Sequence, residues 1–255
     1  DTIFAGDPAT TPGIALFFGA FFFAFQIYGD FSGYSDIAIG CARLFGFKLS
    51  QNFNYPYFSR NIPEFWRRWH ISLSSWFRDY LYIPLGGNNT KWGRLRNVMI
   101  TFTVSGFWHG ANWTYMAWGA LHGTYFIPEK DRSKKPAKVP QLSEFRQIAS
   151  TFLLVTFAWI FFRATSIHAA LDHFKYMVLN IGESLGAMIL YCWRFEMLFV
   201  VLLLIVEWRS RTDAYAMARL PFSIVVRWSL YIAMIYAIVL NIDLVSSHEF
   251  IYFQF

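Results

Sequence analysis

The sequence predicts an all-α, polytopic helical membrane protein with re-entrant and interfacial amphipathic helices. Three observations carry that prediction. Hydrophobic residues make up 56% of the chain and charged residues 15%, where a soluble domain carries about a quarter charged. Apolar runs near 13–28, 98–127, 147–162, 185–206 and 222–240 approach the ~20 residues that a spanning helix needs. Aromatic residues, 21% of the chain, flank most of these runs, as rings do at the level of lipid headgroups.

Residues 1–12 read as a surface connection, with Pro12 and Gly13 introducing the first span. The chain opens with Asp1, without an initiator Met or a basic-then-apolar leader, and reads as a piece of a longer protein. After the first span, Ser32, Ser35, Asp36, Gly40, Ala42, Arg43 and Gly46 share one helical side, and Tyr34, Ile37, Cys41, Leu44 and Phe45 share the other. Two readings fit this pattern: a tight helix contact with Asp36 and Arg43 satisfied internally, or the lining of a polar cavity.

Asn61, Pro63 and Glu64 form a helix start, with a cap, a first-turn proline and an acid three residues after the cap. One strongly amphipathic helix is predicted from there. Phe65, Trp66, Trp69, His70, Leu73, Trp76, Phe77, Tyr80 and Leu81 fall on one side, and Glu64, Arg67, Arg68, Ser75, Arg78 and Asp79 on the other. Such a helix suits the membrane interface, aromatic face down. His70 lies on the apolar face, where a lone histidine is more often a hydrogen-bonded core residue than a catalyst. Pro84 to Asn89 is a turn, and it is not a phosphate loop because no Gly-Lys-Ser/Thr follows.

The run from Val98 to Ile127 holds no Lys, Arg, Asp or Glu and carries Phe107-Trp108-His109-Gly110-Ala111-Asn112 at its middle. An ionisable side chain in hydrocarbon is costly unless a partner or a watery cavity receives it, so His109 ranks first as a functional residue. On an unbroken helix Asn112 shares its face, where it orients the imidazole, donates to an oxyanion, or simply satisfies a neighbouring helix. The stretch 43–96 and the connection 129–146, with Lys130, Arg132, Lys134, Lys135 and Lys138, are both basic. A single span between them would set them on opposite sides, against the orientation rule. A re-entrant 98–127 run removes the conflict, since irregular backbone is tolerated at membrane depth where it lines a cavity.

Further on, Ala158 to Arg163 ends a span, and Thr165 or Ser166 caps a short amphipathic helix. Its His168 and His173 do not share a face and read as surface or interface residues. The 185–206 run carries Arg194 and Glu196 near its start, and the chain closes with Glu249 to Phe255.

Several function classes are disfavoured. The net charge of +6 lies between apolar runs and suits topology, anionic lipid or an anionic acyl donor, and no nucleic-acid motif accompanies it. Cys41 and Cys192 form neither ligand spacing nor a disulfide framework and read as packing residues. No metal-ligand pattern and no Gly-x-Ser-x-Gly elbow is present, so the site calls for no metal and no serine nucleophile.

Four strings carry a resemblance: Tyr28 to Asp36 (YGDFSGYSD), Phe65 to Ser74 (FWRRWHISLS), Trp76 to Tyr80 (WFRDY) and Phe107 to Gly110 (FWHG). Together they resemble the membrane-bound O-acyltransferase family. Tyr82 to Gly87 and the ending Phe250 to Phe255 are most similar to its bacterial branch of alginate and polysaccharide O-acetylation proteins. The match is strong over about 26–123, the catalytic segment. The resemblance implies a multi-helix enzyme around a tunnel in the bacterial inner membrane, with this chain as the C-terminal portion of one membrane-embedded domain. It implies His109 as the principal catalytic histidine and His70 as the second.

Acyl transfer from a thioester to a hydroxyl needs a base, donors for the oxyanion and exclusion of water. His109 is the expected base and His70 a second proton carrier or orienter. Trp108, Asn112, Trp66 and Trp69 are the candidate substrate-binding residues, with the Trp108 indole and the Asn112 amide as oxyanion donors. No bound cofactor is expected. Acetyl-CoA or another acyl thioester serves as cytoplasmic co-substrate. The acceptor is a polysaccharide hydroxyl or an extracytoplasmic acetyltransferase partner. Two competitors remain open, a transmembrane conduit that passes the acyl group without chemistry and an assembly scaffold in which both histidines only pack.

Overall fold

The computed structural model describes residues 2–89, 91–127, 141–183, 186, 195–217 and 222–241. The basic connection 129–146 as far as residue 140, the start of the 185–206 run with Cys192 and Arg194, and the closing Glu249 to Phe255 lie outside the described residues, and the end of that connection is helical from Leu142. All regular structure among the described residues is helical. A single turn α1 (Thr2–Ala5) precedes α2 (Gly13–Leu44), α3 (Ile62–Arg68), α4 (Ile71–Phe77) and a π turn at Arg78–Tyr82. Then follow α5 (Lys91–His109), α6 (Trp113–Phe126), α7 (Leu142–Arg163), α8 (Ile167–Leu179), α9 (Phe195–Ser210) and α10 (Ile224–Asn241).

Among the described residues, α2 and α7 are long and apolar enough to cross a membrane. The first span does not stop near residue 28. It continues as one helix of 32 residues, because nothing between Gly29 and Leu44 breaks the ladder and an apolar helix tolerates isolated glycines. Its far half is mixed: Phe31 packs against Phe53 and His70, and Ser35 and Ile39 are buried, while Asp36, Cys41 and Arg43 are exposed and a Cβ on Gly29, Gly33 or Gly40 would meet no described atom within 4 Å. On the predicted small-residue side Ser35 is buried while Gly40 meets no described element, and Cys41 is exposed and does not pack. Arg43 instead donates to the Tyr215 hydroxyl at 2.9 Å.

The N-terminal stretch is more than a surface connection. Phe4 stacks on the His173 ring at 4.8 Å and meets Phe23 edge-on. His173 is buried, not superficial, and donates through Nε2 to the Leu16 carbonyl at 3.1 Å. Only His168 is exposed as predicted, beside Asp172. Ser166 supplies the α8 cap through Ala169 N–H.

The central apolar run is a helical hairpin. Gly110–Asn112 interrupts it, and the Asn112 side chain caps α6 by accepting from Thr114 N–H at 3.1 Å. The two arms pack closely because glycines face backbone: a Cβ on Gly106 would strike the Tyr115 carbonyl, and one on Gly119 the Phe102 carbonyl. Those pairings run antiparallel, so α6 ends beside the start of α5. A chain that returns to the side it left relieves the conflict between its two basic flanks.

Around the hairpin, rings from α2, α3, α6 and α7 form the core, with Trp69, Trp118 and Trp159 almost wholly buried. Trp159 links the other two at 5.2 and 5.6 Å. Aromatic pairs at such separations add about 0.5–1.5 kcal/mol beyond their buried area.

Gly119→Ala is expected to lower the thermal unfolding midpoint of the detergent-solubilised protein, at an over-packing cost of about 1–3 kcal/mol. Gly33→Ala, in open space, should leave the midpoint unchanged or raise it by the helix preference of about 0.5–1 kcal/mol. Equal midpoints for the two variants would contradict the close approach of the hairpin arms.

Candidate functional site

The predicted amphipathic helix does not run through His70. Helix α3 ends at Arg68, and His70 takes φ 44° and ψ 56°, the left-handed region, before α4 begins. That region costs a non-glycine residue on the order of 1–3 kcal/mol unless its surroundings impose it. Here they do, from both sides. Asn54 N–H donates to the Arg68 carbonyl at 2.9 Å, and Ile71 N–H donates to the Asn52 carbonyl at 2.9 Å. The Asn52 side-chain oxygen also accepts from Ser72 N–H and Ser72 Oγ–H, at 3.2 and 2.7 Å. Asn52 and Asn54 thus clamp the junction, and the His70 ring stands edge-on to Phe31 at 4.6 Å.

His109 is the last residue of α5, at the tip of the hairpin. Its ring meets Trp118 and Phe162 edge-on, both at 5.3 Å, and its neighbour Trp108 at 5.2 Å. A series of ring contacts through Trp118, Trp159 and Trp69 connects His109 to the residue before His70. Helix break and cap separate Asn112 from the face of His109, so the predicted sharing of one face fails, and the Asn112 oxygen is committed to capping. Trp108 is 56% exposed and keeps its ring contact with His109. Trp69 is a core ring against Phe53, Phe65 and Trp159. Trp66 is half-buried, and its indole N–H donates to His122 Nδ1 at 3.3 Å.

The polar face assigned to α3 is solvated at Arg67 but not at Glu64. Glu64 is buried between two arginines. Its carboxylate accepts from Arg60 Nε–H at 2.9 Å, from Arg60 N–H at 3.0 Å and from Arg68 Nη2–H at 2.5 Å. Arg60 reaches on to Glu144 of α7 at 3.3 Å. Asn61 caps the helix as predicted, accepting from Glu64 N–H at 2.8 Å. Burial alone would raise the Glu64 carboxyl, but the hydrogen bonds and charges of Arg60 and Arg68 outweigh it and hold it below its ordinary value.

A cleft of about 610 Å³ opens between α3, α4, the π turn and α5. Arg67, Arg78 and Arg94 stand on its rim, Trp66 and Phe102 form apolar wall, and none of its described lining residues is acidic. Ile71, next to His70, and Ser105, one helical turn before His109, also line it. Neither imidazole is among its lining residues, so the cleft borders the segments that carry them without including the rings. Among the described residues no three His, Cys, Asp or Glu side chains group together.

Sequence reasoning missed four participants. Asn52 acts through a backbone junction that no local pattern announces. Trp118 and Phe162 reach His109 from other helices. His122 is wholly buried in the same charge-free run as His109, and the criterion that singled out His109 applies to it equally.

The model of the family described as MBOAT, membrane-bound O-acyltransferase family, matches residues 7–171. A probable alginate O-acetylase of Azotobacter vinelandii is 47% identical over 171 residues, 67% of this chain and 34% of the relative. A peptidoglycan O-acetyltransferase of Helicobacter pylori is 45% identical over 168 residues, 64% of this chain and 31% of the relative. A teichoic acid D-alanyltransferase of Bacillus subtilis is 31% identical over 159 residues, 57% of this chain and 40% of the relative. The chain spans about a third of the length of the first two relatives.

Because the folded state holds Glu64 below its ordinary value of 4.5, its stabilisation is fully present above that pH and is lost as pH falls through the lowered value. Thermal midpoints measured between pH 7 and pH 3 should fall toward acid, and Glu64→Gln should flatten that fall. Glu64→Ala, which strands two arginines, should cost on the order of 3 kcal/mol at pH 7. An acid slope unchanged in Glu64→Gln would refute the assignment.

Proposed function

The chain belongs to the membrane-bound O-acyltransferase family, and from that premise we propose that it carries the catalytic segment, about 26–123, of an inner-membrane O-acetyltransferase. The reading makes the chain the C-terminal portion of one membrane-embedded domain that acetylates an exported or cell-envelope polysaccharide. The relatives' names support the polymer class. The observation that supports the reading is a basic, apolar-walled cleft whose lining includes Ile71, next to His70, and Ser105, one helical turn before His109.

His109 takes the proton of the attacking hydroxyl. The hydroxyl oxygen bonds to the thioester carbonyl carbon, the tetrahedral oxyanion collapses, the carbon–sulfur bond breaks, and the thiolate leaves to be protonated. His70 carries or orients the second proton. The Trp108 indole N–H and the Asn112 amide are the oxyanion donors in this scheme, and Trp66 lines the donor side. Trp69 acts at one remove, by fixing the chain before His70. Acetyl-CoA or a carrier-bound acetyl thioester enters from the cytoplasmic side, where the basic rim of Arg67, Arg78 and Arg94 suits both its phosphates and the orientation rule. The acceptor is a polysaccharide hydroxyl, or a hydroxyl of an extracytoplasmic acetyltransferase partner.

In membranes at equal protein abundance, His109→Ala should reduce ester-linked acetate on the polymer by about 10²–10⁴-fold, the range for loss of a general base. His70→Ala should also reduce it, by a smaller factor. Unchanged acetate in both variants would overturn the assignment. Transfer to the polymer only when a second transferase is added, with no covalent product otherwise, would favour a conduit.

A further inference from the structure

His122 is wholly buried in α6, and the chemistry above does not use it. Its Nδ1 accepts the Trp66 indole N–H at 3.3 Å. An indole nitrogen only donates, so Nδ1 holds a lone pair and the ring proton of the neutral imidazole is on Nε2. That Nε2 has no hydrogen-bond partner among the described residues. Rings enclose it: Trp66 and Trp118 edge-on at 5.1 Å, and Phe65 stacked at 6.2 Å. Two of these neighbours lead to the site. Trp66 lines the basic cleft, and Trp118 stands against His109 at 5.3 Å.

A phenylalanine would fill nearly the same space without leaving a buried N–H unsatisfied, a state that costs free energy. The imidazole offers in exchange a single acceptor aimed at Trp66. Without it the indole N–H would have to turn toward the cleft to find a partner, and the wall would turn with it. We propose that His122 is a positioning residue of the acyl-transfer site, fixing Trp66 in the cleft wall and bracing Trp118 against His109. The cleft and the base are then held in register by one ring. This role rests on the acyl-transfer reading. It differs from a proton relay, since no described group takes a proton from Nε2.

The test combines kinetics with a readout that needs no turnover. His122→Phe, His122→Gln, Trp66→Phe and the double variant His122→Phe/Trp66→Phe are compared with wild type in membranes, at matched abundance and thermal midpoint. The indole N–H hydrogen-bond band in ultraviolet resonance Raman spectra reports the pair directly. The expected result is that His122→Phe removes the band component that Trp66→Phe also removes. Each single variant should lose acetyl transfer roughly tenfold or more, as a displaced positioning group does. The double variant should lose no more than either single one, because the two residues act as a unit. His122→Gln, which keeps an acceptor, should recover part of the loss, and the pH profile of every His122 variant should keep both limbs. An unchanged indole band in His122→Phe, losses that multiply in the double variant, or a missing limb in the pH profile would each overturn the proposal. Wild-type membranes without any acetyl transfer would sink the acyl-transfer reading itself, and the role of His122 with it, whatever the Raman band shows.

Discussion

A buried carboxylate organises the region on which the site depends. Glu64 stabilises the first turn of α3 from within, since its amide is held by the Asn61 cap while its carboxylate gathers both flanking arginines. Taking three charges out of water is unfavourable unless nearly every lone pair and proton finds a partner. The arginines therefore do more than neutralise Glu64. Arg60 ties α3 to Glu144 on α7, and the Arg68 guanidinium and carbonyl engage Tyr55 and Asn54 of the segment that clamps His70. Removing the carboxylate would free the arginine that faces this segment and loosen the clamp behind His70.

Rings and glycines hold the other imidazole. His109 lies at the hairpin tip, and the tip is placed by two means. Gly106 and Gly119 let the arms approach to backbone contact, which fixes their register. The buried tryptophans Trp118, Trp159 and Trp69 then connect the hairpin to the residue that precedes His70. The two histidines are positioned by different physics, one by a polar clamp and one by ring packing, and Trp69 belongs to both arrangements.

Local signals in the sequence were read accurately where local chemistry decides the structure. The Asn61 cap, the Ser166 cap and the turn at Gly86 and Gly87 all depend on residues a few positions apart. Long-range partners account for the errors. Periodicity drew one helix through His70 because apolar spacing continued past it, whereas Asn52, distant in sequence, forces the backbone into the left-handed region there. The same periodicity placed Glu64 on a wet face, because a helical projection cannot know that Arg68 on its own helix and Arg60 just before it will bury with it. His173 looked superficial until Phe4 and the Leu16 carbonyl came to it from the N-terminus. At the site, burdening an apolar run with an ionisable ring was a sufficient signal for His109. It was an equally good signal for His122, which was passed over only because no recognisable string surrounds it.

Both candidate catalytic histidines stand where a helix fails, and neither stands in a helix interior. Inside a regular helix, a side chain is placed by its own element and can move only with it. At an interruption the ring is placed by whatever closes the gap, which for His70 is Asn52 and for His109 is the packing around the tip. A helix break is tolerated where protein receives the freed backbone groups, and here Asn52, Asn54 and Asn112 receive them. The separation of the imidazoles is thus a tertiary quantity, set by contacts among α2, α3, α6 and α7. Residues that never meet a substrate, Asn52, Gly119 and Trp159 among them, therefore have leverage over the distance a proton would travel.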